Sequence, residues 1–163
     1  MSGDYLELAK SAKDSGNAAF QKGETAEAID FYTQAIGLDP DDHIFYSNRS
    51  AAYLKADSIS KALRDAEKCL QLKPDFVKGY NRLGAAQQGL KRFDDAIATF
   101  KKGIELAASD DALWGALRKC EQAKEAEKKS RYAAGKSKSE SNSKIEGSIT
   151  LYWCCLISCE VMH

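Results

Sequence analysis

The sequence predicts an all-α protein, a right-handed superhelical stack of three helix hairpins closed by a C-terminal capping helix. Three observations predict it. The chain aligns with itself at a period of 34 residues. Ala28, Ala62 and Ala96 share one column, Pro40 and Pro74 a second, Tyr32, Ala66 and Phe100 a third, and the small residues Gly16, Ser50 and Gly84 a fourth. Each row holds two amphipathic segments separated by a short break, and a prolyl or acidic turn closes it. Only two prolines in 163 residues, with a high share of Ala, Lys, Glu and Leu, favour helix.

The elements follow in order. Helices at 4–22 and 25–37 are split at Gly23-Glu24 and end in "LDPDD"; helices at 43–56 and 59–72 are split at Ala56-Asp57 and end in "LKPDF"; helices at 76–90 and 93–107 are split at Lys91-Arg92. The small column lets paired backbones approach, and the aromatic column fills the gap against the next helix. The seventh helix, 109–131, begins at "SDDALWGALRKC" with Ser109 as N-cap and Asp110 and Asp111 in the positive first turn. Leu113, Trp114, Leu117 and Cys120 form its apolar stripe, and Glu121 to Arg131 is mostly charged, as an outward-facing cap must be. The domain so defined covers 1–132, with repeats near 9–42, 43–76 and 77–110.

Composition narrows the function. Lys+Arg and Asp+Glu balance at 24 each, so bulk charge argues for neither nucleic acid nor an anionic membrane, and any charge-driven binding is local. Cys69, Cys120, Cys154, Cys155 and Cys159 are odd in number with three crowded near the end, which is neither a disulfide framework nor a spaced zinc site. A reducing, cytoplasmic setting is expected, and no apolar leader opens the chain. His43 and His163 are the only histidines, and His43 is expected on the surface. No Ser/His/Asp set, phosphate loop or metal spacing appears, so neither catalysis nor a cofactor or metal is expected.

Numbering each repeat from Ala9, His43 and Val77, the scaffold columns of the first helices sit at positions 4, 7, 8 and 11. Positions 2, 5, 6 and 9 fall on the opposite side at about 100° per residue. Lys13 and Asn17 occupy positions 5 and 9 of the first repeat, Asn48 position 6 of the second, and Lys78 and Arg82 positions 2 and 6 of the third. Lys78 and Arg82 would repel at four-residue spacing. Either pair alone reads as solvated surface. Five donor-rich side chains on one concave face, with no carboxylate among them, read as a receptor for an anion carrying two carboxylates, such as an acidic side chain beside a chain terminus.

The period and columns resemble the tetratricopeptide repeat family over roughly residues 9–110. "AKDSGNAAF", "YSNRSAAY" and "KGYNR" further resemble the carboxylate-clamp repeats of heat-shock co-chaperones, and with "LKPDFVKGYNR" the N-terminal repeat domain of the Hsp-organising family. That resemblance implies a clamp of Lys13, Asn17, Asn48, Lys78 and Arg82. It implies as ligand the C-terminal Glu-Glu-Val-Asp of cytosolic 70-kDa and 90-kDa heat-shock chaperones, with the 70-kDa class favoured. Residues preceding that tail would be sorted by a pocket of Ala51, Leu54, Lys55, Gln88 and Leu90, where Gly89 replaces an aromatic common in relatives and makes the pocket shallower. The alternatives are the same clamp preferring the 90-kDa chaperone, and a generic scaffold for an unrelated partner. A monomer is expected.

The remainder, "AAGKSKSESNSKIEGS" at 133–148, reads as a flexible linker, and "ITLYWCCLISCEVMH" at 149–163 as an apolar, Cys-rich tail. Its apolar run from Ile149 to Cys159 falls well short of the roughly 20 residues a membrane span requires. The tail reads as the end of a truncated or alternatively spliced product in preference to a lipid-modified anchor at Cys154-Cys155.

Overall fold

The computed structural model describes residues 2–133. Expectations for the linker and tail at 134–163 lie outside the described residues. Two compact units divide the chain, Met1–Gln122 and Ala123–His163. The first holds α1 (Ser2–Lys22), α2 (Thr25–Leu38), α3 (His43–Lys55), α4 (Ile59–Leu72), α5 (Val77–Gly89) and α6 (Phe93–Leu106). Residues 111–122 are also helical, and no strand occurs among the described residues. Of the second unit, residues 123–133 are helical and exposed apart from Ala123 and Glu127, with an ion pair from Arg131 to Glu127 at 2.9 Å.

The break inside each hairpin is the same turn three times. Gly23, Asp57 and Lys91, 34 residues apart, all have positive φ, at 89°, 55° and 59°. The next residue's N–H reaches back five residues each time: Glu24 to Ala19, Ser58 to Tyr53 and Arg92 to Gln87, all at 2.9 Å. The positive-φ residue's own N–H reaches back three, to Phe20, Leu54 and Gln88. This pair of bonds is the Schellman motif, which satisfies the last carbonyls of a helix only if one residue turns left-handed.

The small and aromatic columns meet across each hairpin. A Cβ on Gly16 would lie 2.7 Å from Tyr32 Cε1, and one on Gly84 2.5 Å from Phe100 Cε1. Tyr32 and Phe100 are buried in consequence, and Ala28, Ala62 and Ala96 beside them have no exposed surface. The second hairpin has Ala66 in the aromatic column and tolerates Ser50 in the small one. There α3 and α4 are joined by Ser50 Oγ donating to the Ala62 carbonyl (2.8 Å), and by Arg49 donating from Nε and Nη2 to the two Asp65 oxygens (2.7 and 2.8 Å). That two-pronged bond raises the Arg49 pKa. Burial pushes the Cys69 thiol on α4 up to about 11, so this cysteine packs as an inert apolar group.

Three sequence expectations change. Asp110, not Ser109, caps the last helix: its Oδ1 accepts from the N–H of Ala112 (2.9 Å) and Leu113 (3.2 Å). A carboxylate one residue later reaches the free N–H groups while also complementing the helix dipole. Leu113, Leu117 and Cys120 are buried against Ala96, Phe100 and Ile104, but Trp114 is 42% exposed, its Nε1–H donating to the Ala108 carbonyl (2.9 Å). His43 is half-buried, edge-on to Phe76 at 4.5 Å.

Candidate functional site: the inner face of α1, α3 and α5

Each helix packs on the next, and in addition α1 touches α3 and α3 touches α5. Among the described residues α2 and α4, or α4 and α6, make no such contact. The odd-numbered helices are therefore the closer-spaced layer and the stack curves toward them, as a layer with shorter spacing must.

All five candidate positions, Lys13, Asn17, Asn48, Lys78 and Arg82, lie on these three helices. Asn17 and Asn48 are brought into direct contact: Asn48 Nδ2 donates to Asn17 Oδ1 at 3.2 Å. The same oxygen accepts from the Tyr32 hydroxyl at 2.8 Å. Burial raises the Tyr32 pKa, keeping the phenol protonated and a donor. Lys13 stands one turn before Asn17 on α1, its ammonium 3.1 Å from the Asp14 carboxylate. The face is thus not free of carboxylates, and an incoming anion must compete with Asp14 for Lys13.

Lys78 and Arg82 stand one turn apart on α5, and neither makes an ion pair among the described residues. Lys78 borders an open cleft of about 550 Å³ shared with Asp75, Phe76, Val77, Ala107, Ser109 and Asp110. Arg82 is half-buried, and its Nε is a buried polar atom with no hydrogen-bond partner. Desolvation lowers its pKa. A helical wheel places Asn17 and Arg82 opposite the scaffold; in the structure both are half-buried. A buried guanidinium with an unused donor is costly unless an anion meets it.

At the C-terminal ends of the same helices lie the expected sorting residues. Lys55 is tied toward α1, its ammonium 4.9 Å from the Phe20 ring centre and 3.5 Å from the Phe20 carbonyl. Ala51, Leu54 and Gln88 are half-buried and Leu90 is 37% exposed. Beside them, a Cβ on Gly89 would come within 3.0 Å of Ile59 Cγ2. Among the described residues no cluster of His, Cys, Asp and Glu suits a metal ion, and no helix is long and apolar enough to cross a membrane.

Fold and face together define a helical-hairpin repeat scaffold with a donor-rich inner surface. Residues 16–57 match the family described as TPR repeat and residues 77–110 that described as Tetratricopeptide repeat. The solved structure "First TPR of Spaghetti (RPAP3) bound to HSP90 peptide SRMEEVD" is 30% identical with a TM-score of 0.70, covering 72% of this chain and 94% of that one. The "TPR2B-domain:pHsp70-complex of yeast Sti1" is 30% identical with a TM-score of 0.64 over 72% and 94%. The chain belongs to the tetratricopeptide repeat family. It is similar to the "Heat shock protein sti1 homolog" of Schizosaccharomyces pombe, 46% identical over 116 residues, which is 71% of this chain and 20% of that protein. The chain spans about a fifth of the length of such curated relatives.

Proposed function

We propose that this domain is a docking module of the co-chaperone type that captures the free C-terminal Glu-Glu-Val-Asp of a cytosolic heat-shock chaperone, preferring the 70-kDa class. Lys13, Asn17 and Asn48 would hold one terminal carboxylate, and Lys78 and Arg82 the other. The observation that carries this reading is the pair of unpartnered cations on α5, with the Nε of Arg82 buried and unbonded. An anion there relieves both the Lys78–Arg82 repulsion and the desolvation of Arg82. Support comes also from solved relatives held in complex with such ligands, pHsp70 in one and an HSP90 peptide ending in Glu-Glu-Val-Asp in another. The second of these favours the alternative that the same clamp prefers the 90-kDa chaperone.

Charge-assisted bonds of about 1.5–3 kcal/mol each, offset by ordering of a flexible peptide, predict roughly micromolar affinity. Calorimetric titration with a Glu-Glu-Val-Asp peptide checks this. The free acid binds, its C-terminally amidated form binds at least about tenfold more weakly, and added salt weakens the free acid. Equal binding of acid and amide points to a generic scaffold. Side-by-side titration of the 70-kDa and 90-kDa terminal peptides decides the preference.

A further inference from the structure

Tyr32 lies on α2, outside the inner layer, and its ring belongs to the buried aromatic column. Packing does not require its oxygen. Phe100 occupies the equivalent place above Gly84 and is fully buried without one. The hydroxyl is spent instead on Asn17, the residue following the glycine on which the Tyr32 ring rests. We propose that Tyr32 is a positioning residue for the inner face, fixing the Asn17 amide with its oxygen inward and its NH2 toward the groove.

The argument is one of valence. An amide oxygen accepts at most two good hydrogen bonds and its nitrogen donates two. Asn17 Oδ1 already accepts from Tyr32 at 2.8 Å and from Asn48 at 3.2 Å, so its acceptor capacity is used inside the protein. What remains of Asn17 for a ligand is donors only, its NH2, while Asn48 adds its second N–H beside its own Oδ1. An asparagine free to flip would offer an acceptor half the time and repel a carboxylate. Held this way, it discriminates for anions. The ring is held close over Gly16, where a Cβ would lie 2.7 Å from Tyr32 Cε1, and is 2% exposed, so packing restrains it. This inference rests on the carboxylate reading for its consequence, though not for its geometry.

The test uses Tyr32→Phe, a residue the same column already accommodates at Phe100, together with Asn17→Ala and the double variant. Titrated with the free-acid Glu-Glu-Val-Asp peptide, Y32F weakens binding about three- to tenfold, the worth of one oriented hydrogen bond. In the N17A background it causes no further loss, because its effect passes through Asn17. Side-chain 15N relaxation of the Asn17 amide, measured without any peptide, gives an order parameter of about 0.8 in the wild type and below about 0.6 in Y32F. Equal losses from Y32F in both backgrounds, or an Asn17 amide as rigid in Y32F as in the wild type, overturn the positioning role. If the wild-type protein does not bind the peptide, the carboxylate reading fails, and the relaxation measurement alone decides the role of Tyr32.

Discussion

At the scale of single residues, Arg82 sets stability against binding. Its guanidinium is partly desolvated and its Nε unbonded, so the unliganded fold carries a cation that nothing in the protein compensates. Arg82→Met retains the apolar stem and removes the charge. It is expected to raise the melting temperature, by a stabilisation of about 1 kcal/mol, while weakening Glu-Glu-Val-Asp binding by about 2–4 kcal/mol. A melt and a titration on the same variant check both signs; lower stability together with weaker binding would assign Arg82 to the scaffold instead. The five candidate positions can be picked out in the sequence because helical periodicity places polar donors opposite an apolar stripe. Their partners are not legible. Asp14 is adjacent to Lys13 in sequence and occupies position 6 of its repeat, on the same side, but their contact depends on how the long lysine side chain folds back, which periodicity does not give. The Tyr32 bond to Asn17 crosses from one helix to another, and only the choice of Tyr over Phe in the aromatic column hints at it. The Arg49–Asp65 link is likewise set by how α3 packs on α4.

At the scale of elements, the repeat dictates turns as firmly as helices. The three breaks read from the sequence fall on the three Schellman turns, and the helix ends lie within about two residues of the expected positions, because each break interrupts an otherwise continuous apolar period. The 109–111 start is less legible, since Ser109, Asp110 and Asp111 are all capable caps and only packing of the following helix selects among them. Conformation separates the three turns. Gly23 adopts positive φ without strain, whereas Asp57 and Lys91 do so against the contact of Cβ with the following carbonyl. Lys91→Gly is therefore expected to stabilise the fold by about 0.5–1 kcal/mol, the relief of strain exceeding the added chain entropy of glycine. Gly84→Ala is expected to destabilise it by about 1–3 kcal/mol, since the new methyl would lie 2.5 Å from the Phe100 ring. Urea unfolding of both variants checks the opposite signs; a destabilising K91G would show that its lysine makes a contact outweighing the strain.

At the scale of the whole molecule, the proposed binding is expected to depend on a segment that carries none of the five candidate residues. In a linear stack each hairpin is stabilised by its neighbours, and an end hairpin with one face uncovered frays first. Lys78 and Arg82 lie on the third hairpin, whose outer stripe of Ala96, Phe100 and Ile104 is covered by Leu113, Leu117 and Cys120. Burying two leucines alone contributes about 3–6 kcal/mol, comparable with the 5–15 kcal/mol total of an ordinary domain. A chain ending after Ala108 keeps all five receptor side chains yet exposes that stripe. It is expected to melt at a lower temperature, with α5 and α6 losing amide protection first, and to lose Glu-Glu-Val-Asp binding because α5, which carries Lys78 and Arg82, is no longer held in place. A chain ending after Gln122 retains Leu113, Leu117 and Cys120 and is expected to match the full chain in both melting and binding. Hydrogen exchange and peptide titration on the two truncations separate the cases. Full binding by the shorter one would mean that α5 is held in place by α3 and α4 alone, and that the covering helix serves solubility and not the site.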